Sequence, residues 1–112
     1  MAIFAIHYTY ADDPSEMLTI RPEHRDWLNG LSGLLVAGMY AEGVDEVSEG
    51  EVTDQEPTNA ALIVYSADSL GEVTQTFDQD PYYLAGHVLR RVVRRWDPPL
   101  GPWVADATQS PA

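Results

Sequence analysis

Two polar residues, a histidine and an aspartate, are the side chains in this sequence best suited to proton transfer. His24 precedes Trp27 and Leu28 by three and four residues, so on a helix its imidazole would share their apolar side. Partial burial and the positive end of that helix, if His24 lies in its first turn, would both favour the neutral ring, which accepts a proton. Asp80 could supply the carboxylate that fixes the tautomer and orientation of the ring. The pattern therefore predicts a His24–Asp80 pair for general acid–base chemistry.

Each member of this pair also has a purely structural interpretation. Asp80 is followed by Pro81 and two tyrosines, a pattern typical of an aspartate that caps a short turn. His24 alone is consistent with a half-buried histidine whose ring is hydrogen-bonded. His7 and His87 could approach His24 and form a three-histidine metal site. No carboxylate at diagnostic spacing accompanies them, so we predict no metal.

The charge balance and the missing residue types exclude several classes of function. Eighteen acidic and six basic residues give a net charge of −12, which would repel nucleic-acid phosphates and anionic lipids. The sequence has no cysteine for a thiolate or disulfide and no lysine for a Schiff base. All basic residues are arginines, and Arg90, Arg91, Arg94 and Arg95 lie close together. We favour pairing of these four with carboxylates, and a local anion site is the alternative.

Hydrophobic periodicity predicts six elements in the order β-α-β-β-α-β. The expected strands are 2–10, 36–44, 60–66 and 87–96, and the expected helices are 21–37 and 69–77. Pro22 suits the first turn of the first helix, Thr19 its cap and Gly38 its end, whereas Ser69 and Glu72 form a capping box. The acidic segment 45–59 lacks the spacing of a calcium loop and is interpreted as a solvated loop. The order predicts an α+β, ferredoxin-like domain.

That fold predicts how the chain covers its apolar surfaces. Both faces of the first strand are largely apolar, so we expect it to be covered on both sides. Two helices on one face of the sheet would leave the other face for a second copy, so we expect a homodimer. No apolar run is long enough to span a bilayer, and the N-terminus lacks the basic segment of a signal peptide, which together favour a cytoplasmic location.

Several short motifs resemble those of the YCII-related family, over about residues 2–100. They are Arg21-Pro-Glu-His24 with Trp27-Leu28, a glycine after the first helix, and Asp80-Pro81-Tyr82 with Ala85-Gly86. The resemblance implies a ferredoxin-like domain over residues 1–100, which pairs sheet to sheet as a dimeric α+β barrel. It also implies that His24 and Asp80 are an active-site pair. The Pro-rich tail over 101–112 extends past the usual end of the family. Gly38-Met39 departs from the Gly-Pro that relatives often carry, which leaves a transferred substrate open.

These observations predict an enzyme that acts on a small cyclic or aromatic molecule by general acid–base chemistry of the lyase or isomerase type, without a cofactor. His24 and Asp80 are the predicted catalytic residues. The predicted substrate contacts are Arg21, His7, Trp27 and Tyr82. The alternative is a non-catalytic dimeric module that binds a ligand in the same pocket, because one fold hosts many unrelated functions.

Overall fold

Four strands and three helices make up the described part of the chain, which in this computed structural model comprises residues 1–11, 15–41, 47, 49–50 and 59–102. In chain order the elements are β1 (Ala2–Tyr10), α1 (Ser15–Asn29), β2 (Leu34–Met39), β3 (Ala60–Ala67), α2 (Leu70–Phe77), α3 (Pro81–Leu84) and β4 (Val88–Trp96). The strands form one antiparallel sheet in the order β2-β3-β1-β4. This arrangement confirms the predicted α+β, ferredoxin-like fold.

β1 is a central strand, hydrogen-bonded to β3 on one side and to β4 on the other. Its alternate residues Phe4, Ile6 and Tyr8 face the helices, and none is more than 3% exposed. Full burial of each such side chain contributes about 1.5–3 kcal/mol. His7 is exposed on the opposite face of the sheet. Within one chain the helices therefore cover only one face of β1, and cover of its other face stays a prediction that depends on a second copy.

The first helix begins and ends earlier than its sequence pattern predicts. α1 spans Ser15–Asn29 rather than 21–37, and Pro22 lies inside it rather than in its first turn. Proline at an interior position costs the helix one backbone hydrogen bond, so proline is more typical of the first turn. For that reason the sequence pattern placed the start of the helix near Pro22. Thr19, the predicted cap, is helical, and its hydroxyl donates to the Glu16 carbonyl at 2.6 Å.

The earlier end of α1 has two consequences for the sequence-based interpretation. Leu34 and Gly38, expected near the end of the helix, both lie in β2. Apolar residues recur at helix-like intervals from the end of the helix through the turn and into the strand. Their spacing alone therefore does not show where the helix ends. His24 is the tenth of the fifteen residues of α1, so the positive end of the helix does not act on it.

β3, α2 and β4 match their predicted bounds to within one residue, whereas α3 was expected only as a short turn capped by Asp80. α2 begins after Ser69, whose hydroxyl accepts a hydrogen bond from the Glu72 N–H at 3.1 Å, so the predicted cap is present. β2 was expected over 36–44, whereas it spans Leu34–Met39. Most of segments 45–59 and 101–112 lies outside the described residues. No helix among the residues that are described is long and apolar enough to cross a membrane.

The face of the sheet turned away from the helices carries apolar side chains that one chain leaves partly exposed. Val36 on β2 is 41% exposed, and Trp96 on β4 is 44% exposed. Val36 pairs with Val64 on β3, and Trp96 pairs with Ile3 on β1. Val64 and Ile3 are already buried in one chain, at 6% and 2% exposed, so the most exposed apolar side chains of this face lie on the two edge strands, β2 and β4. Exposed apolar side chains of this kind are expected of a surface that contacts another molecule.

Gly33 allows the turn between α1 and β2 to contact the backbone of β3. Its carbonyl accepts a hydrogen bond from the Ser66 N–H at 2.8 Å. A β-carbon at Gly33 would collide with the Ser66 carbonyl oxygen and with the Tyr65 ring. Because the carbonyl is main chain, no side-chain rotation relieves the collision.

Gly33→Ala should therefore destabilise the protein by about 1–3 kcal/mol, the range for forcing an extra methyl group into a packed site. Gly71→Ala is the matched control, since a β-carbon there meets only the Ser69 hydroxyl at 3.9 Å. Alanine is the better helix former by roughly 0.5–1 kcal/mol, so the control should be neutral or stabilising. Urea unfolding of both variants measures the difference, and equal stabilities would contradict the close approach.

Candidate active site

Asp80 is fully buried at the start of α3, where its sequence pattern predicts a cap. Its Oδ1 accepts a hydrogen bond from the Tyr82 N–H at 2.9 Å, and Pro81 occupies the first helical position. Proline suits that position because its missing N–H would have no partner there. The capping interpretation of Asp80 is therefore correct, but it accounts for only one of the contacts of this carboxylate.

Two side chains from distant elements also contact the Asp80 carboxylate. Nδ1 of His24, on α1, lies 2.7 Å from Oδ1, and the Tyr8 hydroxyl, on β1, donates to Oδ2 at 2.8 Å. A buried carboxylate without such donors would be costly, because it has lost its water shell. The structure thus brings together His24 and Asp80, 56 positions apart along the chain.

Tyr8 is a member of the site that the sequence analysis missed. Burial, the charge of Asp80 and their hydrogen bond raise the pKa of the Tyr8 phenol well above its ordinary range. Burial first, and then the charges of Asp80 and Tyr82, likewise raise the pKa of Tyr10. Tyr8 therefore stays protonated and acts as a hydrogen-bond donor to Asp80, not as an acid or base. The one available signal was that a buried tyrosine hydroxyl needs a partner.

Tyr82 fixes the plane of the His24 ring. The two rings stack with centroids 3.8 Å apart and an interplanar angle of 14°, and Tyr10 packs edge-on against Tyr82. With Nδ1 at the Asp80 carboxylate, Nε2 is the ring nitrogen left for other partners, and no described residue is hydrogen-bonded to it. Because a carboxylate accepts and does not donate, the neutral ring must carry its proton on Nδ1. Nε2 then has the lone pair that a general base requires.

Arg91 on β4 anchors the segment that carries Asp80. Its Nη2 donates to Asp78 Oδ1 at 2.9 Å, and its guanidinium lies 4.3 Å from the centroid of the Tyr83 ring. Asp78 and Tyr83 flank Asp80 in sequence, so one side chain holds both ends of the turn. In the arginine cluster, Arg91 and Arg95 pair with carboxylates, the latter with Asp97 at 3.1 Å, whereas Arg90 and Arg94 pair with none of the described carboxylates, contrary to the prediction for all four.

A cleft of about 130 Å³ opens beside this pair, between α1, α3 and the adjoining strands. His24, Arg21 and Tyr82 line it. The remaining lining residues are Tyr10, Arg25, Leu28, Ala37, Gly38, Met39, Ala61 and Ile63. Most of these are apolar or aromatic, so the cleft has a mainly apolar wall, and the imidazole and two guanidiniums are the basic groups of its described lining. Pockets for small molecules commonly have this composition.

Two of the predicted substrate contacts lie elsewhere. His7 is on the opposite face of the sheet, where its Nδ1 is 3.4 Å from the Tyr40 hydroxyl. Trp27 packs edge-on against Phe77 with centroids 5.4 Å apart, and it belongs to the core rather than to the cleft. The alternation of side chains along β1 predicts that His7 and Tyr8 lie on opposite faces of the sheet, but it does not predict which face the helices cover.

The three-histidine metal site that the sequence left open is also contradicted by this placement. His7 and His24 are separated by the sheet, and His87 contacts the site only through Tyr82, with ring centroids 6.4 Å apart. Within the described ranges, no group of three histidine, aspartate or glutamate side chains could hold a metal ion.

Comparison with known proteins places these observations in a family. The model of the YCII-related domain matches residues 1–97. This range includes every residue of the cleft and of the hydrogen-bonded pair. No sequence among the curated proteins matches the chain significantly.

Two solved structures have a similar fold. The dehydrochlorinase TftG of Burkholderia phenoliruptrix, in complex with 2,5-dihydroxybenzoquinone, is 22% identical over 85% of this chain and 93% of its own, with a TM-score of 0.63. Protein Atu4242 of Agrobacterium tumefaciens is 14% identical over 88% of this chain and 93% of its own, with a TM-score of 0.50. At these identities the likeness establishes the fold alone, which is the α+β, ferredoxin-like one described above.

The buried tyrosines predict a loss of stability in alkaline solution. The unfolded chain releases the Tyr8 and Tyr10 protons near pH 10, whereas the folded chain retains them. Above that pH the unfolded state binds fewer protons, so the free energy of unfolding falls as pH rises, by about 1.4 kcal/mol per pH unit for each tyrosine. The contribution of the two protonated tyrosines to the free energy of unfolding is fully present below pH 10. Tyr8→Phe should reduce the slope above that pH by about 1.4 kcal/mol per pH unit.

Urea unfolding at a series of pH values from about 9 to 11.5 measures these slopes. Tyr83→Phe is the control, because that ring lies at the surface, 37% exposed, and it should keep the wild-type slope. Identical slopes for Tyr8→Phe and the wild type would contradict the buried Tyr8–Asp80 hydrogen bond.

Proposed function

The chain belongs to the YCII-related family, and on that premise we propose that it is a small-molecule enzyme whose His24–Asp80 pair performs general acid–base chemistry. The observation that carries the proposal is the 2.7 Å contact between the His24 imidazole and the buried Asp80 carboxylate beside an apolar cleft. A histidine held by a buried carboxylate, with its second nitrogen unpaired, is a common arrangement for a catalytic base.

The proposed step moves one proton and uses only groups of this chain. Nε2 of neutral His24 takes a proton from an acidic C–H or O–H of the substrate, and the electron pair stays on the substrate as an enolate or phenolate. The imidazolium is stabilised by the Asp80 carboxylate. Return of the proton at another atom completes an isomerisation. In an elimination, the leaving group departs as an anion with the electron pair of its bond, and the imidazolium gives its proton to that anion or to water. Neither outcome requires a cofactor.

The nature of the substrate is supported by a structural relative with this fold. TftG is a dehydrochlorinase of 5-chloro-2-hydroxyhydroquinone, and its complex holds 2,5-dihydroxybenzoquinone. Both are small, oxygenated six-membered rings. A ring of that kind suits a cleft lined by Tyr10, Leu28 and Tyr82. We therefore propose a small cyclic or aromatic molecule with an acidic hydrogen as the substrate class.

The test is proton exchange into D₂O, because it reports the first step whatever follows. Small enolisable ring compounds, 2,5-dihydroxybenzoquinone first, are incubated with the protein, and loss of ring C–H signals is followed by NMR. The wild type should accelerate exchange of at least one compound, and His24→Gln and Asp80→Asn should each lower that rate by about 10²–10⁴-fold. Asp26→Asn, an exposed carboxylate on the same helix, should exchange at the wild-type rate.

The outcomes also separate this proposal from the alternative of a ligand-binding module. Exchange that His24→Gln leaves unchanged would contradict the role of His24. A compound that binds the cleft and exchanges no faster than without protein would favour the binding module.

We further propose that a second copy covers the open face of the sheet. Leu62 lies in the middle of that face, beside His7 on the neighbouring strand, and the exposed Val36 and Trp96 extend the apolar surface onto the edge strands. A domain of this size buries a small core, so covering such a face on association adds stability. This proposal agrees with the sheet-to-sheet pairing, as a dimeric α+β barrel, that the family resemblance implies.

Light scattering at micromolar concentration should give about twice the chain mass of 12.4 kDa. Leu62→Glu would place a charge in the centre of the open face and should give a monomer, because an unpaired buried charge is costly. Leu18→Glu, which changes an exposed leucine of α1, should remain dimeric. A monomeric wild type, or a dimer that survives Leu62→Glu, would refute this interface.

A further inference from the structure

Two arginines on α1 stand on either side of the proposed base in sequence. Arg21, His24, Arg25 and Leu28 are spaced three, four and seven residues from the first, so they form one side of the helix. All four line the cleft. Glu23 is exposed and does not line the cleft. Although the chain has a net charge of −12, both charged side chains that line this cleft within the described part of the chain are positive.

Neither cleft arginine has a carboxylate partner among the residues that the structure describes. On β4, Arg91 and Arg95 each bind an aspartate, at 2.9 Å and 3.1 Å, whereas Arg90 and Arg94 likewise pair with no described carboxylate. The two cleft arginines differ from Arg90 and Arg94 because they line an apolar cavity. Two guanidiniums that have no carboxylate partner among the described residues are available there to bind an anion, for which the planar guanidinium is well suited.

The rest of the cleft sets the size and shape of that anion. Its volume of about 130 Å³ is close to that of the cavities of about 150 Å³ that hold one benzene molecule. Leu28 and Ile63 offer apolar contacts, and the rings of Tyr10 and Tyr82 offer flat ones. A single ring would fill this space, with its charged oxygens at Arg21 and Arg25.

We propose that the substrate is a single-ring anion whose carboxylate or ring oxyanion is bound by Arg21 and Arg25, and that these two arginines select it. The inference rests on the proposed function, because it places this anion beside the base His24. It adds Arg25 as a residue that determines specificity, and it adds that the substrate carries a negative charge. When His24 removes a proton, the negative charge that develops on the ring oxygens would also be stabilised by the guanidiniums.

The experiment compares benzoate with benzamide, two molecules of the same shape that differ in charge. NMR titration of the wild-type protein should show benzoate binding at least about tenfold more tightly, a preference of about 1.4 kcal/mol. 2,5-Dihydroxybenzoquinone, in its anionic form, tests a ring oxyanion in place of the carboxylate. Added salt should reduce the preference, since part of Arg25 is exposed to solvent.

Variants assign the preference to the two arginines. Arg21→Gln and Arg25→Gln should each reduce it, and the double variant should bind benzoate and benzamide equally well. Affinity for benzamide should stay within about twofold, because its apolar contacts are intact. Arg95→Gln changes the net charge by the same amount far from the cleft and should keep the wild-type preference.

Equal binding of the neutral and anionic probes, failure of both anions to bind at millimolar concentration, or a preference that survives the double variant would each overturn the inference. His24→Gln should retain the preference for benzoate. Anion selectivity without proton exchange would therefore refute the proposed catalysis and leave the binding site standing. Proton exchange that is limited to neutral ring compounds would refute the anion site and leave the proposed catalysis standing.

Discussion

The Asp80 carboxylate is fully buried and accepts hydrogen bonds from a strand, a long helix and its own short helix. Tyr8 on β1, His24 on α1 and the Tyr82 N–H on α3 converge on two oxygen atoms. Because a buried charge without donors costs several kcal/mol, these three elements must keep their relative positions in the folded chain. The same constraint that joins the elements fixes the tautomer of His24, so the fold and the proposed chemistry depend on one group.

The order of the six predicted elements follows from local sequence, since β1, β3, α2 and β4 have clear periodicity and α2 has a capping box. The bounds of α1 do not follow, because Pro22 is tolerated inside this helix and the apolar spacing continues into β2. The choice between the two faces of β1 is a tertiary effect. It placed His7 away from the cleft and Tyr8 beside Asp80, and no local pattern distinguishes the two.

The meeting of His24 with Asp80 was predictable for a different reason. The Asp-Pro-aromatic sequence identifies a cap with local chemistry, and the family resemblance joined that cap to a histidine on α1. The cap and the pair were posed as alternatives, yet Asp80 Oδ1 serves both at once, with the Tyr82 N–H at 2.9 Å and His24 Nδ1 at 2.7 Å. A carboxylate has lone pairs enough for several donors, so a structural role does not exclude a chemical one.

The central claim is that Asp80 holds a proton on Nδ1 of His24 and leaves Nε2 as the base. Nitrogen-15 NMR of the histidine ring, recorded with the imidazole neutral, tests this directly, because the two nitrogens have distinct shifts in the two tautomers. We predict that His24 carries its proton on Nδ1 in the wild type, and that Asp80→Asn changes the population of tautomers. A wild-type ring protonated on Nε2, or a tautomer indifferent to the Asp80 substitution, would contradict this account.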